Sequence, residues 1–275
     1  MNFLRRMADS RIARGVAMRL HLDVILRPAY RWWTNSLPRV VKVRPLGLSC
    51  KMRLDPRELR DYELDVEHEE RDFLDALNAH LHPGETALDV GAHLGEFTLP
   101  LAKMVGDRGH VLAFEPEVGA CRRLEDHVKL NGLTNVHVFR KALGEEDGAG
   151  RIFLEGGACP TIVPLADDTV GRSVSENIEV ARGDTFFARE RLPVPHAAKI
   201  DVEGFEYAVL RGLCGTLANP ICRLICVEIH PELLAPGVSA GTITDLLQSL
   251  GFSQFRTEPR GTEVHVVAVK PAHTS

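Results

Sequence analysis

Nowhere in the chain does an apolar run approach the roughly 20 residues needed to cross a bilayer, and no short apolar segment leads into a small-residue cleavage site. The expectation is therefore a soluble, cytoplasmic protein. None of the six cysteines (Cys50, Cys121, Cys159, Cys214, Cys222, Cys226) forms a C-x-x-C pair, which argues against the common zinc and dithiol motifs. Cys222 and Cys226 are expected on one strand as small buried hydrophobes. No repeat or low-complexity stretch occurs. What is present, 44% hydrophobic and 26% charged residues over 275 positions, can bury a substantial core.

Charge is unevenly placed. Residues 1–60 hold 14 Lys and Arg against 4 Asp and Glu, which leaves 19 against 34 in residues 61–275. A basic arm thus precedes an acidic body, and the body's charge repels phosphate, so no nucleic acid partner is expected. Within the arm, Ile12, Val16, Leu20 and Val24 recur every four positions after Ser10, with Arg11, Arg14 and Arg19 between them, until Pro28. That spacing predicts a basic amphipathic helix. With Trp32 and Trp33 just beyond, residues 10–33 have three readings: a lid packed on the acidic body, a peripheral contact with an anionic membrane, or a cleaved targeting segment.

Beyond residue 60 the pattern alternates. Phe73, Leu74, Leu77 and Leu81 predict a helix that stops at His82-Pro83-Gly84. Strands are expected at 86–90, 111–114, 136–139, 198–200, 224–229 and 264–269, with helices near 98–105, 117–131, 206–217 and 243–250 between them. This order predicts an α/β fold with a mostly parallel sheet covered on both faces. The segments 252–256 and 264–269, joined by the polar 257–261, return as a hairpin and bring an antiparallel strand to the sheet near its edge.

The first strand runs into Asp89-Val90-Gly91-Ala92-His93-Leu94-Gly95. Glycines at a strand-to-helix turn let the backbone approach a ligand closely. The spacing is G-x-x-x-G, and the missing G-x-G-x-x-G speaks against a nicotinamide dinucleotide and for a nucleoside without phosphates. Glu115 ends the second strand 20 positions after Gly95, where a carboxylate accepts hydrogen bonds from ribose hydroxyls. Arg140-Lys141-Ala142-Leu143-Gly144, after the third strand, is placed to border an adenine.

A second cluster, Lys199-Ile200-Asp201-Val202-Glu203-Gly204-Phe205-Glu206, closes the fourth strand, and Glu228-Ile229-His230 closes the next. Ligands of open α/β sheets bind outside the carboxyl ends of the strands, so Asp201 and Glu228 flank one crevice with His230 at its mouth. Three readings remain open. His230 is a general base toward a substrate hydroxyl while Asp201 or Glu228 orients the acceptor; or Asp201 and Glu228, with His230, hold a hard divalent cation; or the acids only cap the next helix and pair with Lys199.

These residues resemble the FkbM family of methyltransferases. Leu88–Thr98 is similar to its D-V-G-A-N-x-G motif, Phe114-Glu115-Pro116 to its second motif, and Lys199–Gly204 to its K-I-D-V-E-G signature. The resemblance runs from Tyr62 to Lys270, with Asp184 and Glu228–His230 as weaker matches. It implies a seven-stranded Rossmann-like class I methyltransferase sheet, assigned to residues 61–275; the basic 1–60 arm, expected as an N-terminal helical extension or lid, matches no motif of the family. It also implies S-adenosylmethionine as cofactor and hydroxyls of sugars, glycolipids or other natural products as acceptors. By the resemblance, cofactor contact is implied for Asp89, Gly91, Gly95, Glu115 and Ala142, and an active-site role for Asp201 and Glu203; His93, Pro116, Lys141 and Asp201, beside them in the same motifs, are further cofactor-binding candidates. His93 stands where the family usually has Asn. The alternative function is a non-catalytic adenosine-binding scaffold that works through its basic arm.

Overall fold

A computed structural model describes residues 38–64, 70–153, 161–164 and 175–271. The expected helix, lid or membrane contact at residues 10–33 lies outside them. In chain order the elements are β1 (Arg39–Val43), β2 (Cys50–Leu54), α1 (Pro56–Leu64), α2 (Arg71–His80), β3 (Thr86–Val90), α3 (Thr98–Val105), β4 (His110–Phe114), α4 (Val118–Leu130) and β5 (Val136–Phe139). There follow β6 (Ala142–Gly144), β7 (Gly148–Phe153), β8 (Thr161–Pro164), β9 (Ser175–Arg182), α5 (Gly183–Glu190), β10 (Ala197–Ile200), α6 (Glu206–Gly212), α7 (Cys214–Ala218), β11 (Leu224–Ile229), α8 (Ala240–Ser249), β12 (Gln254–Arg260) and β13 (Glu263–Val269).

Seven strands form the main sheet in the order β12-β13-β11-β10-β3-β4-β5. The pairs β3–β4, β4–β5, β3–β10 and β10–β11 are parallel, and β13 enters antiparallel between β11 and β12. This is the mostly parallel sheet expected from the alternation, with the seven strands of the Rossmann-like sheet that the resemblance implied. β3 and β11 are buried along their whole length, as strands covered on both faces must be, and so they read as apolar runs. Alternate side chains split between two cores. Ala87, Ala113, Ala197 and Cys226 face a layer holding Phe73, Leu77, Leu99 and Leu124; Leu88, Leu112, Ala198 and Ile225 face Phe187, Leu210, Leu217 and Leu247.

Several boundaries differ from the sequence expectation. The last hairpin does not loop through 257–261: β12 continues to Arg260, the turn is residues 261–262, and Pro259 pairs in register with Val264. β12 is an edge strand, where a residue without an N–H is tolerated. The expected helix 206–217 is two helices broken at Leu213, and Gly212 sits so close to β6 that a Cβ there would lie 1.8 Å from the Gly144 carbonyl oxygen. Cys222 precedes β11 and is buried.

Two features were not expected. Residues 39–54, counted in the helical arm, form an antiparallel hairpin whose Val43, Cys50, Met52 and Leu54 are buried in the first core. A helical reading missed it because the apolar residues alternate with period 2 there. Also, β6, β9, β7 and β8 make a separate four-stranded sheet. It packs Ala142, Ile152, Ile178 and Val180 around Phe205 and walls one side of the crevice at the carboxyl ends of the main sheet.

Candidate active site

One open cleft of about 580 Å³ lies at those carboxyl ends. Its lining includes Gly91 and His93 after β3, Glu115 and Pro116 after β4, Lys141 after β5, Ala142, Leu143 and Ile152 from the second sheet, and Asp201, Val202 and Glu203 after β10. Of the residues expected to touch a cofactor, Gly91, His93, Glu115, Pro116, Lys141, Ala142 and Asp201 are therefore brought together.

Gly91 has φ +80, and a Cβ there would lie 1.7 Å from the Asp201 carbonyl oxygen. Only glycine lets the two strand ends approach this closely. His93 is also left-handed, with φ +45, a conformation that Asn, Asp and His tolerate better than most residues; that is a backbone reason for His to stand in for Asn. The His93 backbone N–H donates to Glu115 Oε2 at 2.8 Å and that of Glu117 to Oε1 at 2.8 Å. Burial pushes the Glu115 carboxyl up to about 7, despite these two hydrogen bonds. Each of its oxygens keeps a second lone pair for a ligand.

Gly95 and Asp89 are not in the lining. Gly95, with φ +96, turns the chain into α3 against Leu124, 2.7 Å from where its Cβ would be. Asp89 is fully buried beneath the loop, accepts from Thr98 Oγ1 at 2.5 Å, and is raised by burial to about 6. Both shape the loop from below.

The second half of the site is an ionic cluster around His230, which was expected at the mouth of the crevice but is 7% exposed and lies behind Asp201 and Glu203, outside the cleft lining. Its Nδ1 lies 2.8 Å from Glu206 Oε1, and its Nε2 lies 3.4 Å from Glu203 Oε1 and 4.0 Å from Asp201 Oδ1. Glu206 is wholly buried at the start of α6 and also accepts from the Gly204 N–H at 2.8 Å. A protonated imidazole carries a hydrogen on both ring nitrogens, so His230 Nδ1 donates to Glu206. Burial lowers the His230 imidazole, but the Glu206 hydrogen bond and the charges of Glu203 and Asp201 raise it to about 9. Sequence reasoning assumed an ordinary histidine; the surrounding acids leave it protonated in the free protein at neutral pH. Glu203, at φ +50, is held in the left-handed region beside Gly204.

Behind this pair lies Lys199, buried, with Nζ 2.7 Å from Asp201 Oδ2 and 4.8 Å from the Phe97 ring centroid. Burial lowers its pKa, but Asp201, Glu70, Asp89 and Glu228 drive it well above the usual range. Glu228 is buried and pushed up by that burial, yet the hydrogen bond from His265 and the Lys199 charge outweigh it and hold its pKa low. Glu70 and Glu263, which no sequence motif marked, share hydrogen bonds with Glu228, and burial raises both, Glu263 to about 7. Glu70 arrives from the start of α2 and Glu263 from β13. Only the helix start before Phe73 and the hairpin hinted at their placement. Asp184 lies apart from the cleft: it caps α7, accepting from the Gly215 and Thr216 backbone N–H groups at 2.8 and 2.7 Å.

The sheet order, the glycine turn and the acid after β4 define the Rossmann-like methyltransferase class. A family model described as the methyltransferase FkbM domain matches residues 89–253, and the chain belongs to that family. Among relatives, the hexuronic acid methyltransferase AglP of Haloferax volcanii is 26% identical over 198 residues, covering 72% of this chain and 76% of its own. A shorter match, 36% identical over 63 residues, is to the 23S rRNA (uracil(1939)-C(5))-methyltransferase RlmD of Psychrobacter arcticus; it covers 23% of this chain and 12% of that one. Among solved structures, methyltransferase FkbM of Methylobacillus flagellatus KT aligns with a TM-score of 0.48 at 16% identity, over 76% of this chain and 55% of its own.

Proposed function

We propose that the chain transfers a methyl group from S-adenosylmethionine to a hydroxyl oxygen of a small-molecule, sugar or lipid-linked acceptor. The observation that carries this reading is His230, buried, with Nδ1 held by Glu206 and Nε2 facing the two acids that line the cleft. The AglP relative, a methyltransferase of a sugar acid by name, agrees with a sugar-like acceptor.

The residues fit the cofactor. A glycine with no room for a Cβ floors the cleft, Glu115 stands at the end of β4 for ribose hydroxyls, and Ala142, Leu143 and Ile152 offer an apolar wall for a purine. When bound, S-adenosylmethionine supplies an electrophilic methyl group on a sulfonium. The protein's part is to hold the acceptor oxygen in line with it and to remove the hydroxyl proton. Glu206 fixes the imidazole so that Nε2 takes that proton, and Glu203 or Asp201 accepts a hydrogen bond from the acceptor. Glu228, expected to share the orienting role, is tied to His265 and Lys199 behind the cleft.

Base chemistry is preferred to a divalent cation for a physical reason. Oxygens of Glu70, Asp201 and Glu228 lie within 4.8 Å of one another, as do ligand atoms of Asp201, Glu203 and His230 and those of Glu228, His230 and Glu263; the last two groups need a neutral imidazole, and the surrounding acids keep it protonated. The buried Lys199 ammonium already balances the first group and pairs with Asp201, so a metal would have to displace or repel it.

Calorimetric titration with S-adenosylmethionine and with NADH, followed by a screen of neutral sugars, glycolipids and phenols for formation of demethylated cofactor, tests the reading. Saturable binding of S-adenosylmethionine alone, with turnover on a hydroxyl acceptor, is expected. Because His230 titrates at about 9 in the free protein, kcat/KM should rise with pH toward that value and level above it. Glu206→Gln should move the inflection down. Absence of S-adenosylmethionine binding would overturn the cofactor assignment, and a pH-independent kcat/KM would remove His230 as the base.

A further inference from the structure

The β1–β2 hairpin presents a cationic outer face that the main sheet's chemistry does not use. Its inner side chains are buried, while Lys42 and Lys51 stand opposite each other in register and Arg53 stands opposite Val40, all four exposed. Like charges directly opposite on a sheet are destabilising. Lysines that guard a strand edge against pairing need lie only along its rim; these project from the face. Residues 38–60 hold seven Lys and Arg and two acids, and both acids are engaged within the fold. Asp55 Oδ1 accepts from the Arg57 and Glu58 backbone N–H groups at 2.7 and 3.0 Å, and Glu58 pairs with Arg123 of α4 at 2.5 Å. Among the described residues, no carboxylate pairs with Lys42, Lys51 or Arg53.

We infer that this face docks on an acidic lipid bilayer surface. Two observations choose lipid over nucleic acid. Residues 39–54 contain no aromatic side chain on which a base could stack. Val40, 48% exposed, is one of few large apolar side chains left open, and it lies among the cations, the mixture that interfacial binding uses. Position also fits: Arg123 donates to the Arg53 carbonyl oxygen at 2.8 Å, and Glu58 is near enough to His93, a cleft residue, to feel its charge. A bilayer on this face would meet the hairpin beside the rim of the cleft. The inference stands apart from the acceptor assignment, because it concerns the hairpin alone.

The test is co-sedimentation of the full chain with vesicles of phosphatidylcholine, with and without phosphatidylglycerol, at low and high salt. Binding should require the acidic lipid and weaken with salt. A triple variant, K42Q/K51Q/R53Q, should lower the partition coefficient by about fivefold per cation removed, with an unchanged thermal midpoint. The charge-preserving K42R/K51R should bind like the parent. Three results would overturn the inference: no binding to acidic vesicles, a triple variant that binds as well as the parent, or displacement from vesicles by single-stranded RNA at equal phosphate.

Discussion

The cleft wall after β3 and β4 and the ionic cluster after β10 and β11 solve the same problem, holding buried carboxylates, by different means. In the first, Glu115 is held by two backbone N–H groups, those of His93 and Glu117, with the His93 charge beside it. In the second, Glu203, Glu206, Asp201 and Glu228 are held by cations, His230, Lys199 and His265, and the cluster is completed by Glu70 and Glu263 from the two ends of the domain. Backbone dipoles are fixed by the fold; side-chain cations titrate and must be neutralised together. The first half suits a cofactor that is the same in every turnover. The second suits proton transfer, because its charge state can change.

Separate substitutions should break the halves separately. His230→Ala should lower kcat by roughly 10²- to 10⁴-fold while leaving the dissociation constant for S-adenosylmethionine within about twofold. Near-normal turnover at saturating acceptor would move the base elsewhere. Glu115→Ala should do the reverse: a weakening of cofactor binding by roughly 10- to 100-fold, the usual loss for a hydrogen bond to a charged group, with a smaller change in kcat at saturating cofactor. If each variant changed both quantities alike, the two halves would act as one unit, and the division drawn from the geometry would fail.

The same contrast explains what could be read from the residues alone. Asp89 to Glu115 form one strand–helix–strand unit, so spacing along the chain maps directly onto space, and the glycine turn and its acid were both legible. His230, Asp201 and Glu203 were legible because each sits at a strand end. Their meaning was not, since the elevated imidazole depends on Glu206, which reads as an ordinary first-turn helix acid. Glu70 and Glu263 were out of reach, because contacts between the start of α2 and β13 are set by packing and not by any local spacing. The second sheet left a weaker trace that was present: Ile178 and Val180 alternate with Glu179 and Asn177, the period of a strand.

The smallest expected effect is on stability, and it tests whether titratable cations do hold the second half. His265 is 1% exposed, stacks on Phe73 with ring centroids 4.3 Å apart, and lies 3.2 Å from Asp72 and 3.4 Å from Glu228. Burial lowers its pKa, but the hydrogen bonds with Asp72 and Glu228 raise it to about 9, above the roughly 6.5 of an unfolded chain. Stability from this imidazolium is therefore complete below about pH 6.5 and is lost as pH climbs through 9. The most it can amount to is ~3 kcal/mol. Glu263 and His230 are raised as well and add alkaline losses of the same sign, so the parent's melting curve alone does not isolate His265. The difference between the parent and His265→Gln does. At pH 6.5 the variant should melt several degrees lower, and the gap should close between pH 7 and about 9.5. A gap constant across that range would mean that His265 is neutral and holds Glu228 by an uncharged hydrogen bond, and the second half would then rest on Lys199 and His230 alone.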